Sequence, residues 1–127
     1  MKIKCVKIYK EFKKIYVTSS SSLTIGKEYT VLEIRIHSDK IYYRIYSDNP
    51  PGGPSLHLAF QFEITSEKIP SNWQIGIVNS TIVLSPKPWQ EDDFWESFFD
   101  GDLKTIEIFK REAQIIYREE DNLALLK

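Results

Sequence analysis

Apolar and polar residues alternate along most of the first eighty-odd positions and then change rhythm. Residues 2–9 (KIKCVKIY) set β-branched and other apolar side chains between lysines, a pattern that predicts a strand, and Ile15 to Val17 extends or follows it. Thr18 to Ser22 is serine-rich and reads as a loop. Gly26 can take the positive backbone angle of a tight turn, which predicts a chain reversal before the next strand. Over Glu28 to Ile36, Thr30, Leu32, Ile34 and Ile36 fall on one face, with Tyr29, Val31, Glu33 and Arg35 on the other. His37 to Lys40 reads as a turn, and Ile41 to Tyr46 as the second arm of a hairpin. Asp48 to Pro54 holds three prolines and two glycines and must be a loop. After it, Leu56, Leu58, Phe60, Phe62 and Ile64 alternate with His57, Ala59, Gln61 and Glu63. This is the clearest period-two run in the chain, with one face directed to the core. Ile69 to Trp73 connects to a second hairpin, 73–77 with 82–84, closed by Asn79-Ser80.

Beyond Pro88 the period changes. Residues 89–99 (WQEDDFWESFF) predict a short acidic, aromatic helix, punctuated by Gly101. Asp102 is a good N-cap, and Leu103, Ile106, Phe109, Ala113 and Ile116 or Tyr117 recur at helical spacing through about Glu119. Glu119 to Asn122 reads as the stop of this helix. Strands followed by helices predict an α+β fold and one domain over 1–127: an antiparallel, strongly bent sheet or small barrel, then a short helix and a longer C-terminal helix.

Composition narrows the class. The 127 residues suit a single domain, and 42% apolar with 28% charged residues argues against disorder or a membrane protein. No run approaches the roughly 20 apolar residues of a spanning helix. Lysines interrupt the N-terminal segment too often for a signal peptide, so a cytoplasmic location is expected. The net charge of −1 gives no global attraction to nucleic acid. The single cysteine, Cys5, is expected to be a small buried hydrophobe.

Candidate chemistry is sparse. No glycine-rich phosphate loop, CxxC or HExxH motif occurs, and His37 and His57 are far apart in sequence and expected at the surface. No catalytic residue, metal or cofactor is therefore assigned, and the chain is expected not to be an enzyme. Charge is distributed unevenly, however. Lys2, Lys4, Lys7, Lys10, Lys13 and Lys14 make the start basic. With Tyr9, Phe12 and Tyr16 between them they invite a nucleic-acid reading, against which stands a lysine-protected edge strand, the favoured reading. Glu91, Asp92, Asp93, Glu96, Asp100 and Asp102 make the helical region acidic. A carboxylate cluster can be a solvated face. It can also attract a basic protein and fix its register, with an interleaved aromatic such as Trp95 as anchor.

Two stretches resemble known proteins. LTIGKEYTVLEI (Leu23–Ile34), YRI (Tyr43–Ile45) and FEI (Phe62–Ile64) resemble small Src-homology-3-like barrels of bacterial and phage proteins, over residues 23–65. IPSNW (Ile69–Trp73), LSPKPWQ (Leu84–Gln90), FWESFFDGD (Phe94–Asp102) and IFKRE (Ile108–Glu112) resemble small immunity proteins of bacterial polymorphic-toxin and contact-dependent growth inhibition systems. That resemblance implies a stoichiometric inhibitor that binds a cognate toxin domain, often a nuclease, and blocks its active site. The resemblance carries over no binding residues; the charge and aromatic pattern makes Glu91, Asp92, Asp93, Glu96, Asp100, Asp102 and Trp95 the expected contact residues. The alternative is a nucleic-acid-binding or phage-type accessory barrel using the basic N-terminal region.

Overall fold

Two consecutive amides set the architecture. The Val31 N–H donates to the Met1 carbonyl, and the Leu32 N–H donates to the Arg44 carbonyl. Those acceptors belong to different sheets, so the chain turns a corner where its sequence pattern runs straight. The computed structural model describes residues 1–48 and 53–125, with side chains through Asp121. Before the corner lie β1 (Lys2–Cys5), β2 (Ile8–Lys10), β3 (Ile15–Val17) and β4 (Glu28–Thr30). After it come β5 (Glu33–His37), β6 (Lys40–Tyr46), β7 (Pro54–Leu58), a 3-10 turn (Ala59–Gln61) and β8 (Phe62–Ser66). The chain continues through β9 (Trp73–Val78), β10 (Thr81–Pro86), a second 3-10 turn (Lys87–Gln90), α1 (Phe94–Phe99) and α2 (Leu103–Leu125).

The strands form a three-stranded sheet (β4-β1-β8), a five-stranded sheet (β7-β6-β5-β10-β9) and the β2–β3 hairpin, all antiparallel. The α+β class and the long C-terminal helix are as expected. Among the described residues the strands close no barrel.

Several local expectations are corrected. The run 2–9 is two strands, because the Val6 and Lys7 amides both turn to the Gln61 carbonyl. The run 56–64 is broken by the 3-10 turn. Of its alternating apolar residues Phe62 is buried, whereas Leu56, Phe60 and Ile64 are exposed. The acidic stretch 89–99 is a 3-10 turn and a six-residue helix separated by Glu91–Asp93. Residues 49–52 of the expected loop lie outside the described residues.

The core lies between the sheets and α2. Ile3 and Cys5 of β1, Ile45 of β6, Trp89, and Phe109 and Ile116 of α2 are nearly or wholly excluded from water. Full burial of an aliphatic or aromatic side chain of this size contributes about 1.5–3 kcal/mol. Helix α2 starts where Asp102 Oδ2 accepts the Thr105 N–H at 2.9 Å and its hydroxyl at 2.6 Å, the expected N-cap. It does not stop at 119–122 but runs through Leu125. Glu120 continues the buried stripe, where it accepts the Ser66 hydroxyl and the Met1 amine. Among the described residues no helix is long and apolar enough to cross a membrane.

Candidate protein-binding surfaces

The acidic residues of 91–102 lie on one contiguous segment, held in place from below. Trp89 is fully buried between Phe94 and Phe109, with ring centres 6.3 and 4.9 Å away. Gln90 Nε2 donates to the carbonyls of Gln74 (2.8 Å) and Ser85 (3.1 Å), which ties the second 3-10 turn to the β9–β10 hairpin. The Phe94 N–H donates to the Glu91 carbonyl at 3.1 Å and starts α1. From this base Glu91, Asp92, Asp93, Glu96, Asp100 and Asp102 all reach solvent. None of them makes an ion pair among the described residues. Hydrogen bonds from the Thr105 hydroxyl and amide hold the Asp102 carboxyl below its ordinary range. A groove of about 580 Å³ runs beside them, with Glu91, Asp93 and Asp102 on its rim and Pro88, Phe94 and Ile108 in its floor.

Trp95 sits lower than an anchor residue should. It is half-buried, packed against Trp89, Phe94, Phe98 and Phe109, with the Arg44 guanidinium 3.8 Å from its ring centre. The exposed apolar side chains in and next to segment 91–102 are Phe99 and Leu103.

A second surface was only half legible from sequence. Tyr9 packs against Tyr16 at 5.1 Å across the β2–β3 hairpin and against Phe60 of the first 3-10 turn at 5.4 Å. Lys7 Nζ lies 5.5 Å from the ring centres of both Tyr16 and Phe60. Phe12, at the hairpin tip, is fully exposed. A groove of about 590 Å³ opens beside them, lined by Tyr9, Lys40, Ile41, Leu58 and Phe60, and edged by the Glu11–Lys40 ion pair. Phe60 was missed because its place in the alternating run assigned it to the core.

The remaining candidates stand apart. His37 is exposed, with Nδ1 3.0 Å from the Thr81 hydroxyl. His57 is half-buried rather than at the surface, with Nε2 3.0 Å from the Ser55 hydroxyl, and burial pushes its pKa down. By strand register His57 faces Tyr43 and Tyr43 faces Ile34, so the histidines are two strands and three residues apart and do not meet. Cys5 is buried as expected. Burial pushes its thiol pKa up, and the thiol donates to the Lys7 carbonyl at 3.5 Å. Among the described residues no three metal-ligating side chains gather at one point.

No protein-family model matches the chain, and no solved structure matches it.

Proposed function

We propose that the chain is a binding protein that neutralises a cognate bacterial toxin, in the manner of an immunity protein, by occluding its active site in the cytoplasm. One observation carries the reading: six carboxylates of one twelve-residue segment are exposed and free of ion pairs among the described residues, on a base fixed by Trp89 and Gln90. Isolated surface charges of one sign give little stability and repel each other. A rigid array of them gains its value against a basic partner, by steering encounter and fixing register. A nuclease cleft built for phosphate is such a partner, and the carboxylates would stand where phosphates bind. Phe99 and Leu103, beside the array, supply the apolar contact.

The connectivity also supports a Src-homology-3-like reading of the first half, in open rather than closed form. β1 pairs with both β4 and β8, the chain bends between β4 and β5, and a 3-10 turn precedes β8.

The test is co-expression with the toxin-like domain encoded beside it, scored by growth and by co-purification. A one-to-one complex that restores growth supports the reading. Normal folding with no complex and no rescue overturns it.

A second reading, nucleic-acid binding, is favoured by the aromatic cluster of Tyr9, Tyr16 and Phe60 under Lys7, with Phe12 exposed. Bases stack on such aromatics between lysines. It requires binding to single-stranded RNA or DNA that weakens steeply with salt.

A further inference from the structure

The free edge of the five-stranded sheet lacks the usual protection. Strand β9 reads Trp73-Gln-Ile-Gly-Ile-Val78, with no charge and no proline. Edge strands ordinarily carry lysine, proline or a bulge that prevents pairing with another chain. Two of the other edges here do. β7 opens with Pro54, which has no amide to donate, and the β2–β3 hairpin carries Lys10 with Lys13 and Lys14 at its tip.

The hairpin geometry shows what β9 offers. Asn79 and Ser80 both have positive φ, 48° and 65°, which is the two-residue turn that suits strand twist. Such a turn makes Val78 and Thr81 a hydrogen-bonded pair, and bonded and non-bonded pairs alternate from there. Ile75 and Ile77 therefore occupy non-bonded positions, with their N–H and C=O groups directed away from β10, toward the open edge. Their side chains are 74% and 77% exposed. From Ile77 the register carries an isoleucine row inward: Ile77 faces Ile82, Ile82 faces Ile36, and Ile36 faces Ile41. The edge is thus unpaired in its backbone and bordered by an exposed apolar strip.

We infer that β9 is a self-association edge whose occupant is β9 of a second copy of this chain, paired antiparallel about a two-fold axis. The charge pattern selects that occupant. A two-fold contact sets a surface against itself, so a charged surface would repel its copy. The acidic segment 91–102 and the lysine-bearing hairpin cannot pair this way, whereas the uncharged β9 can. With the axis at Gly76, Ile75 faces Ile77 of the second copy. Those residues exchange the open N–H and C=O groups, and four isoleucine side chains meet on one face. Pro54 on the opposite edge disfavours head-to-tail growth, so the contact closes as a dimer. The contact is small, which places it among weak interfaces. It does not depend on the toxin-binding reading.

The test is sedimentation equilibrium of the full chain from about 1 μM to about 1 mM, the range in which a small interface associates, with amide hydrogen exchange at Ile75 and Ile77. The expected result is a monomer–dimer equilibrium with those two amides slowed as concentration rises. The I75K/I77K variant should weaken association at least tenfold, and I41K, remote from the edge, should leave it unchanged. Ile77→Thr keeps a β-branched residue and serves if the double variant folds poorly. A monomer throughout the range overturns the inference. So does a dimer whose Ile75 and Ile77 amides stay unprotected, or one that I41K abolishes. Protection of these amides only when a toxin domain is added would assign the edge to that partner and overturn self-pairing.

Discussion

The Arg44 guanidinium lies 3.8 Å from the centre of the Trp95 ring, joining β6 of the large sheet to the helix beside the acidic segment. The same side chain is anchored from behind. Its Nε donates to Glu33 Oε2 at 2.5 Å, and its Nη1 donates to the Pro54 carbonyl at 3.1 Å. Glu33 is fully buried and also accepts Arg35 Nε at 3.1 Å. Burial pushes the Arg44 pKa down, and the Glu33 charge opposes that shift. A buried ion pair of this kind therefore orients α1, and through it the carboxylates.

Removing one partner should be costly. Arg44→Ala leaves Glu33 buried beside Arg35 alone and takes the cation from the Trp95 face. Breaking such a pair is expected to cost about 3–5 kcal/mol. Urea unfolding should show a lower midpoint. The double replacement E33L/R44M removes both charges and should recover most of that loss. A single variant as stable as the parent would show that the pair is not structural.

The parts of this fold legible in sequence are those governed by neighbours. The Asn79-Ser80 turn and the Asp102 cap act over two or three residues, and both lie where the pattern put them. The corner at Val31–Leu32 was not legible, because its cause is two acceptors, Met1 and Arg44, distant in sequence. The alternation at 56–64 hid a 3-10 turn for a similar reason. The Gln61 side chain is buried there, accepting the Tyr9 N–H and donating to the Leu58 carbonyl. Glu119 and Glu120 looked like a helix stop, but Ser71 and Ser66 supply donors that let the helix pass. Exposure of the acidic segment was legible, since so many adjacent carboxylates cannot be buried unpaired. Burial of Trp95 was not, since Arg44 comes from another element.

The acidic segment should be separable from the fold. Glu91, Asp92, Asp93 and Glu96 are exposed and form no ion pair among the described residues, so changing all four to Lys should leave the thermal midpoint nearly unchanged. Affinity for the toxin domain should fall at least a hundredfold, about 3 kcal/mol, with most of the change in association rate at low salt. Asp102 is left out because it caps α2. Calorimetric titration of parent and variant checks this, and equal affinity would remove the segment from the contact.

Stability should carry a histidine signature. Burial pushes the His57 pKa below its ordinary 6.5. The unfolded chain then binds the proton more readily than the folded one, so stability is fully present above pH 6.5 and falls as pH drops from there through the lowered value. His57→Gln should flatten this limb. Chemical denaturation of the parent and of His57→Gln at a series of pH values measures both slopes.

Gly76 and Gln90 should behave as a coupled pair. A Cβ placed on Gly76 would stand 2.0 Å from Gln90 Oε1 and 2.9 Å from its Cδ. Gln90 cannot swing aside freely, because it is buried and its amide nitrogen holds the carbonyls of Gln74 and Ser85. Gly76→Ala therefore forces either a shift of β9 or loss of both hydrogen bonds, at an expected cost of about 1–3 kcal/mol. Gln90→Ala forfeits the same bonds but clears the clash. The double variant should then be little less stable than Gln90→Ala alone, a coupling well outside simple additivity. A thermodynamic cycle from four unfolding curves tests it. Strict additivity would mean that the hairpin accommodates the methyl group without moving the turn that leads into the acidic segment.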